Sequence, residues 1–297
     1  MKGEVPTIAG LLDDATLRIA AALGLEKREA RLEARVLAAF AWGVSPAWLI
    51  AHDNEAPDRT RSTAFAALLE QRLAGKPVAY LTGVREFYGR PFRITSDVLI
   101  PRPETELLVE QALLHLPAGR PLRVLDLGTG SGCVAVTIAL ERPHAIIMAV
   151  DRSSSALALA QHNANALNAS VRFLQSDWFA ALGGELFDLI VGNPPYVAAT
   201  DPHLSRGDLR FEPISALASG GDGFHDLRRI IQNAPAHLVP GGWLWLEHGF
   251  EQGNLSQRLM REAGMLEIQT LPDAAGLPRI SGGKCRKNLH PHKTGVG

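Results

Sequence analysis

The chain has 297 residues, 46% of them hydrophobic, and a formal net charge of −1 at pH 7. That is enough apolar material for a sizeable core and about two domains, and the balanced charge excludes the electrostatic footprint of a protein that binds duplex phosphate along its length. Two cysteines, no signal-peptide pattern and no apolar run of about 18 residues exclude a disulfide framework and paired zinc spacing, and predict a cytoplasmic protein without a membrane span.

From Thr7 to Ala74 apolar residues recur at helical spacing: Ile8, Leu11, Leu12, Ala15 and Ile19, then Leu32, Val36, Leu37 and Phe40, then Phe65, Leu68, Leu69 and Leu73. Punctuation at Gly24, Gly43-Val-Ser-Pro46 and Ala56-Pro57 divides the stretch into about four helices. Residues 1–75 are therefore read as a small helical domain. Between 76 and 103 the chain turns strand-like, with Arg85–Tyr88 and Pro91–Ile94 flanking Gly89-Arg90 as a connector hairpin. Pro103, Glu104 and Glu106 then open an amphipathic helix through Leu116, since proline and acids suit a first turn.

After Pro121 strands and helices alternate. Strands are expected at Leu122–Leu127, Ala145–Val150, Val171–Gln175, Phe187–Gly192, Trp243–Glu247 and near 266–271. Helices are expected over 131–142, 153–167, about 225–238 and about 252–264, with a turn at Pro240-Gly-Gly242. Regular alternation predicts an α/β fold with a mostly parallel sheet covered on both faces.

The ends of these strands carry the chemistry. Asp126-Leu-Gly-Thr-Gly-Ser-Gly132 follows the first strand, and Gly128, Gly130 and Gly132 let a ligand approach the backbone. The spacing departs from both Gly-x-Gly-x-x-Gly and a phosphate-binding P-loop. Asp151 ends the second strand, where a carboxylate accepts hydrogen bonds from ribose hydroxyls; a plain helix-start acid is the alternative. Asp177-Trp178 ends the third, pairing an acceptor for an adenine amino group with an aromatic wall, or placing an ordinary core indole. Asn193-Pro194-Pro195-Tyr196 ends the fourth. Two prolines hold a rigid backbone without donors, leaving the Asn193 amide and free carbonyls to face a planar, nitrogen-bearing substrate.

This order resembles the class I S-adenosylmethionine-dependent methyltransferases (Rossmann-like), and the fourth motif resembles their amino-methylating subgroup. Phe87-Tyr-Gly89, Ile100-Pro-Arg-Pro-Glu-Thr-Glu106, Asp126–Gly132, Asp177-Trp-Phe179, Asn193–Tyr196, Arg210-Phe-Glu-Pro213 and Leu246-Glu-His-Gly249 together resemble the HemK/PrmC family of peptide chain release factor N5-glutamine methyltransferases, over about residues 7–283. The resemblance implies a methyltransferase domain over 104–283. It also implies S-adenosylmethionine as methyl donor, with S-adenosylhomocysteine as product, and the Gly-Gly-Gln loop of class I release factors as acceptor. Stable nucleic-acid binding is not expected. Gly128, Thr129, Gly130, Ser131, Gly132, Asp151, Asp177, Trp178 and Asn193 would contact the cofactor, and the helical domain would help dock the release factor.

An amide nitrogen is a poor nucleophile and a sulfonium methyl is already activated, so positioning outweighs a strong base. Asn193 Oδ1 and the Pro194 carbonyl would accept the two amide hydrogens, with Pro195 rigidifying the turn and Tyr196 packing on the amide and facing the sulfonium charge. Neither a catalytic metal nor a covalent enzyme intermediate is expected. Arg102 and Glu104 sit either at the cofactor mouth or in a helix-start salt bridge, Glu247-His248 packs and hydrogen-bonds behind the site, and Cys133 is a small packed residue. The competing enzyme reading is a nucleic-acid amino methyltransferase acting on DNA adenine-N6 or ribosomal RNA guanine-N2. A nicotinamide oxidoreductase leaves Asn193–Tyr196 without a role, and a non-enzymatic scaffold would have eroded motifs. Residues 284–297 match no expected pattern and read as a disordered basic tail in which His290 and His292 form a weak metal-like pair.

Overall fold

The structure, a computed structural model, describes residues 6–286. They form two compact units: residues through Val84 together with Ser205–Phe211, and Arg85–Leu204 together with Glu212 onward.

The first unit holds α1 (Ile8–Leu23), α2 (Lys27–Trp42), α3 (Pro46–Ala51), α4 (Arg59–Leu73) and α5 (Val78–Thr82). Their ends follow the punctuation in the sequence. Thr7, Ser45 and Asp58 each accept a first-turn amide at an N-terminus, and Gly24 and Gly43 close α1 and α2 in the left-handed region. The core joins Ile8, Leu12, Ala15 and Ile19 to Ala30, Ala34, Leu37, Ala38, Trp42, Phe65 and Leu69. On α2 the expected stripe is rotated: Leu32 and Phe40 are exposed, and small alanines face the core instead. Alanine lets α1 and α2 approach closely, so the buried face is not the one with the largest side chains.

The return of residues 205–211 into this unit has a specific cause. Arg72, buried at the end of α4, donates to both oxygens of Glu33 (2.8 and 2.9 Å), to Asp208 Oδ1 (2.8 Å) and to the carbonyls of Gly75 and Lys76. Arg210 donates to the Ala74 carbonyl (2.9 Å), and a Cβ on Gly75 would collide with its guanidinium at 1.9 Å.

The second unit begins with the hairpin of β1 (Val84–Phe87, whose first residue belongs to the other unit) and β2 (Arg90–Arg93). Its turn is Tyr88-Gly89, one residue before the expected Gly89-Arg90, with positive φ at both positions (52° and 71°) as a primed turn requires. Then follow α6 (Glu106–His115), β3 (Arg123–Leu127), α7 (Cys133–Glu141), β4 (Ile146–Asp151), α8 (Ser154–Ala166), β5 (Val171–Gln175) and β6 (Phe187–Gly192). After β6 come α9 (Ile214–Leu217), α10 (His225–Asn233), β7 (Leu238–Glu247), α11 (Gly253–Glu262), β8 (Leu266–Pro272) and β9 (Pro278–Lys284). The strands form one seven-stranded sheet in the order β5-β4-β3-β6-β7-β9-β8. It is parallel through β7, and β9 runs antiparallel between β7 and β8. The core lies between Leu125, Leu127, Val150, Ile190, Leu244 and Leu246 of the strands and Leu227, Ile230 and Ile231 of α10.

Two expectations shift. Pro240-Gly-Gly242 is not a turn before a strand but an irregularity within β7, where the register jumps between Phe187 and Leu189. A Cβ at Gly242 would meet three carbonyl oxygens at 3.0–3.1 Å. The sheet also runs past the expected tail boundary, because Lys284 pairs with Trp243 and Leu266, and Cys285 N donates to the Gly242 carbonyl. Residues 287–297, with His290 and His292, lie outside the described residues. Among those described, no helix is long and apolar enough to cross a membrane.

Gly282 lies opposite Trp245 in the β7–β9 ladder, and a Cβ there would meet the fully buried indole at 2.3–2.5 Å. Gly282→Ala is therefore expected to lower stability by about 3 kcal/mol or more, read as a reduced urea midpoint at unchanged slope.

Candidate active site

Strand order reverses between β3 and β6, and open α/β sheets leave a crevice at that point beyond the carboxyl ends of their strands. A cleft of about 1000 Å³, open to solvent, occupies it. The ends of β3, β4, β5 and β6 line one side, and the segment Asp97–Thr105 lines another.

The floor is the loop after β3. Gly128, Gly130 and Gly132 have φ of 69°, 55° and 82°, in the left-handed region that favours glycine, and the first and last are also tightly packed. A Cβ at 128 would touch the Trp178 ring at 3.2 Å, one at 132 would press on Ala160 of α8 at 3.0 Å, and Gly130 N donates to Asp151 Oδ2 at 2.9 Å. Thr129 Oγ1 donates to Asp126 Oδ2 (2.7 Å), and Ser131 presents its carbonyl to Asn163 Nδ2 (2.9 Å). Asn163 of α8 also exchanges two hydrogen bonds with the backbone of Arg93, so it ties the loop to the hairpin. Asp126 is 2% exposed, and burial pushes its carboxyl up to about 7 against the opposing bond from Thr129.

Asp151 acts as a helix-start acid and also faces the cleft. Its Oδ1 accepts Ser153 N at the start of α8 (2.9 Å) and its Oδ2 accepts the glycine loop, yet it still lines the cleft with further lone pairs to offer. Trp178, at φ 52°, is locked by its Nε1–H donating to Asp226 Oδ1 (3.0 Å), while Ser219 Oγ donates to Asp226 Oδ2 (2.7 Å). Asp177 lines the cleft, but both its oxygens face Arg229 (3.2 and 2.8 Å), whose guanidinium holds the carboxyl below its usual range. It enters the site as half of an ion pair, not as a free acceptor.

Asn193 and Pro195 line the cleft, whereas Pro194 is buried and is not part of the lining. Asn193 Nδ2 donates to Thr105 Oγ1 (3.1 Å), which leaves its carbonyl oxygen without a donor among the described residues. Tyr196, expected against a substrate amide, is held by contacts within the chain. Its ring packs on the core, its hydroxyl donates to Glu247 Oε1 (3.4 Å), and its carbonyl accepts from Gln252 Nε2 (2.9 Å). Burial, with the Glu247 charge beside it, raises its phenol further above the ordinary range.

Behind the cleft, Glu247 is 1% exposed and accepts Thr105 Oγ1–H at 2.6 Å. Burial pushes its carboxyl up to about 7, against the bond from Thr105 and the nearby Arg279 charge. His248, fully buried, donates from Nδ1 to the Gly249 carbonyl and accepts at Nε2 from Ser281 Oγ (both 2.8 Å), and burial holds it neutral. This matches a hydrogen-bonding role behind the site. Arg102 reaches the cleft and pairs with buried Glu212, which also accepts Ile100 N (3.0 Å); the partner is not Glu104. Cys133 is buried, and its thiol is pushed up to about 12, as suits a packed residue. Sequence reasoning missed Thr105, Asn163 and Asp226, three polar residues on helices or at a helix start whose only signal is that their partners come from distant segments.

Residues 11–83 match the PrmC N-terminal domain and residues 103–222 the methyltransferase small domain. The chain is 52% identical over 254 residues to the release factor glutamine methyltransferase of Bordetella pertussis, spanning 85% of this chain and 94% of that protein. It is 48% identical over 282 residues to that of Xylella fastidiosa, spanning 95% and 99%, and 43% identical over 255 residues to that of Escherichia coli, spanning 86% and 92%. Among solved structures, a methyltransferase from Pyrococcus furiosus superposes with a TM-score of 0.52 at 18% identity, over 74% of this chain and 99% of that one, a likeness of fold.

Asp126 supplies a test of the site's electrostatics. Between the ordinary carboxyl range near 4 and about 7 the folded state holds a proton on this group that the unfolded state has lost. Its contribution to stability is therefore complete at the acid end and declines as pH rises through that window. Asp126→Asn is expected to flatten the fall in thermal midpoint between about pH 4.5 and 7.5, measured by calorimetry on the ligand-free protein; an unchanged slope would place the carboxyl's titration elsewhere.

Proposed function

The chain belongs to the release factor glutamine methyltransferase family, and we propose that it transfers the methyl group of S-adenosylmethionine to the side-chain amide nitrogen of the glutamine in the Gly-Gly-Gln loop of class I peptide chain release factors. The observation that carries this reading is the Asn193 side chain at the cleft wall, its nitrogen already bonded to Thr105 and its oxygen directed elsewhere, in a chain alike to these enzymes over most of its length.

The cleft fits the cofactor by its donor set. The glycine cradle is free of side-chain bulk, Asp151 has acceptor capacity for two ribose hydroxyls, and the clamped Trp178 ring offers a flat apolar wall for a purine. Gly128–Gly132, Asp151, Trp178 and Asp226 would hold it, with Asp177 contributing through its pair with Arg229. When bound, the cofactor supplies a methyl group on a sulfonium that is already electrophilic.

What remains for the protein is orientation. Conjugation with the carbonyl ties up the lone pair of an amide nitrogen. Accepting an N–H hydrogen at Oδ1 of Asn193, which lines the cleft, fixes the amide edge and turns the nitrogen face toward the methyl. The Pro194 carbonyl, outside the lining, is the second acceptor that the family resemblance implies. A neutral acceptor suffices for this: the hydrogens are held through the transfer, and the cationic N-methylated amide, a strong acid, then gives up one proton to solvent. The Asn193-Pro-Pro backbone supports such fixation, because no N–H of either proline competes for the acceptors. Tyr196 acts from behind, holding the turn through Glu247 and Gln252.

Labelled methyl should pass from S-adenosylmethionine to a class I release factor and not to the same factor with its Gly-Gly-Gln glutamine changed to alanine. Asn193→Ala should reduce the turnover at least about 100-fold with cofactor affinity retained. Label in DNA or ribosomal RNA with none in the factor would replace this reading by nucleic-acid amino methylation.

A further inference from the structure

Asn193 is useful to an amide substrate in only one of its two orientations. With Oδ1 toward the cleft it accepts an N–H; rotated by 180° about its terminal bond it presents an NH₂ to another NH₂. The side-chain amide is nearly symmetric in shape, so packing alone does not choose. We propose that Thr105 and Glu247 are positioning residues that set the polarity of Asn193, through a one-way chain of hydrogen bonds ending on the buried carboxylate. The proposal rests on the methyl-transfer reading above and names the device that makes Asn193 an acceptor.

The chain of bonds fixes every hydrogen. An ionised carboxylate only accepts, so Thr105 must spend its one hydroxyl hydrogen on Glu247 Oε2; the 2.6 Å separation is that of a charge-assisted O–H···O⁻ bond. Thr105 Oγ1 then has only lone pairs for Asn193, which must offer Nδ2–H, as the 3.1 Å contact has it. Asn193 Oδ1 is thereby left to the cleft. The second oxygen of Glu247 accepts the Tyr196 hydroxyl, so a single carboxylate orders both ends of the Asn193–Tyr196 turn. Thr105 is 3% and Glu247 1% exposed, which keeps water from supplying an alternative partner.

Protonation reverses the logic. A neutral Glu247 can donate to Thr105 Oγ1, which frees the threonine hydrogen to turn toward Asn193 and stabilises the rotated amide. The charged and titratable groups facing Glu247 are Arg279 of β9, whose charge favours the ionised form, Glu104 beside Thr105, which opposes it, the Tyr196 hydroxyl, and Cys133 of α7. His248 follows it in the chain and is held neutral. Arg279 is itself held by Asp273 (3.0 and 3.1 Å), so its position is fixed while Glu247 titrates. Burial places that titration near neutrality, so the polarity of Asn193 changes within the working range.

Two measurements on the full-length protein test this. In the ligand-free state the side-chain amide resonances of Asn193, assigned by their loss in Asn193→Ala, should shift with pH through an inflection near neutrality, and Glu247→Gln should abolish that inflection. With release factor as substrate, wild-type kcat should rise through the same range as the carboxylate ionises. Thr105→Val should lower kcat about 10- to 100-fold and remove the pH limb, with KM for the factor and calorimetric affinity for S-adenosylmethionine within about twofold, and Thr105→Ser should restore both rate and limb. Asn193 resonances that ignore pH, or that keep their inflection in Glu247→Gln, would overturn the proposal, as would a Thr105→Val enzyme with wild-type kcat. The resonance arm needs no methyl acceptor, so it stands even if no release factor is methylated and the functional reading itself falls.

Discussion

The site depends on how closely β6 can approach β3. Leu127 and Gly192 are the last paired residues of these strands, and a Cβ on Gly192 would meet the Leu127 carbonyl at 3.1 Å and its Cβ at 3.2 Å. A larger residue there would have to push the two strands apart by a few tenths of an ångström. The register brings Asn193, the first residue beyond β6, alongside Gly128, the first beyond β3, so the amide acceptor and the ligand floor become neighbours by strand pairing alone. The adjacent strands extend the same arrangement: Gly128 N and Thr129 N both donate to the Val150 carbonyl, and Ser176 N donates to that of Asp151. Hydrogen bonds of the sheet thus continue past its edge and shape the cleft before any side chain contributes.

Burial then does to the side chains what pairing does to the backbone. Asp126 in the cleft lining and Glu247 behind the cleft are each nearly inaccessible, and each is pushed to about 7 by desolvation. Both carry a threonine hydroxyl, Thr129 at 2.7 Å and Thr105 at 2.6 Å. A desolvated acid that is only partly compensated is costly to ionise, and it imposes direction on every hydroxyl near it. The polar groups that face the cleft are thereby oriented by acids that are themselves almost wholly buried.

Much of this was legible in the sequence, for a physical reason. Strand ends of an open α/β sheet are local signals: an apolar run stops and a glycine, an acid or an asparagine follows, as at Asp126–Gly132, Asp151, Asp177-Trp178 and Asn193. What escaped depends on contacts that no local pattern announces. On α2, alanine packing and not side-chain size selects the buried side. The aromatic face of Tyr196 suits an amide, but its partner Glu247, which takes the hydroxyl, lies 51 residues away. Asp177 offers two acceptors in the sequence, and Arg229, which fills both, comes 52 residues on.

The segment Ile100–Glu106 shows the same principle at the rim. Its prolines Pro101 and Pro103 stiffen it, yet stiffness alone gives no position. Position comes from both ends: Glu212, 3% exposed, accepts Ile100 N and pairs with Arg102, while Thr105 is held between Asn193 and Glu247. Two carboxylates from different parts of the chain therefore grip one rigid strap, one near the cleft mouth and one at its back. Moving the strap would take from buried Glu212 its bonds to Arg102 and Ile100 and from buried Glu247 its bond to Thr105, a cost on the order of several kcal/mol. That cost explains how a strap whose regular structure is a single 3-10 turn, Pro103–Thr105, ahead of α6 can serve as a wall of the site.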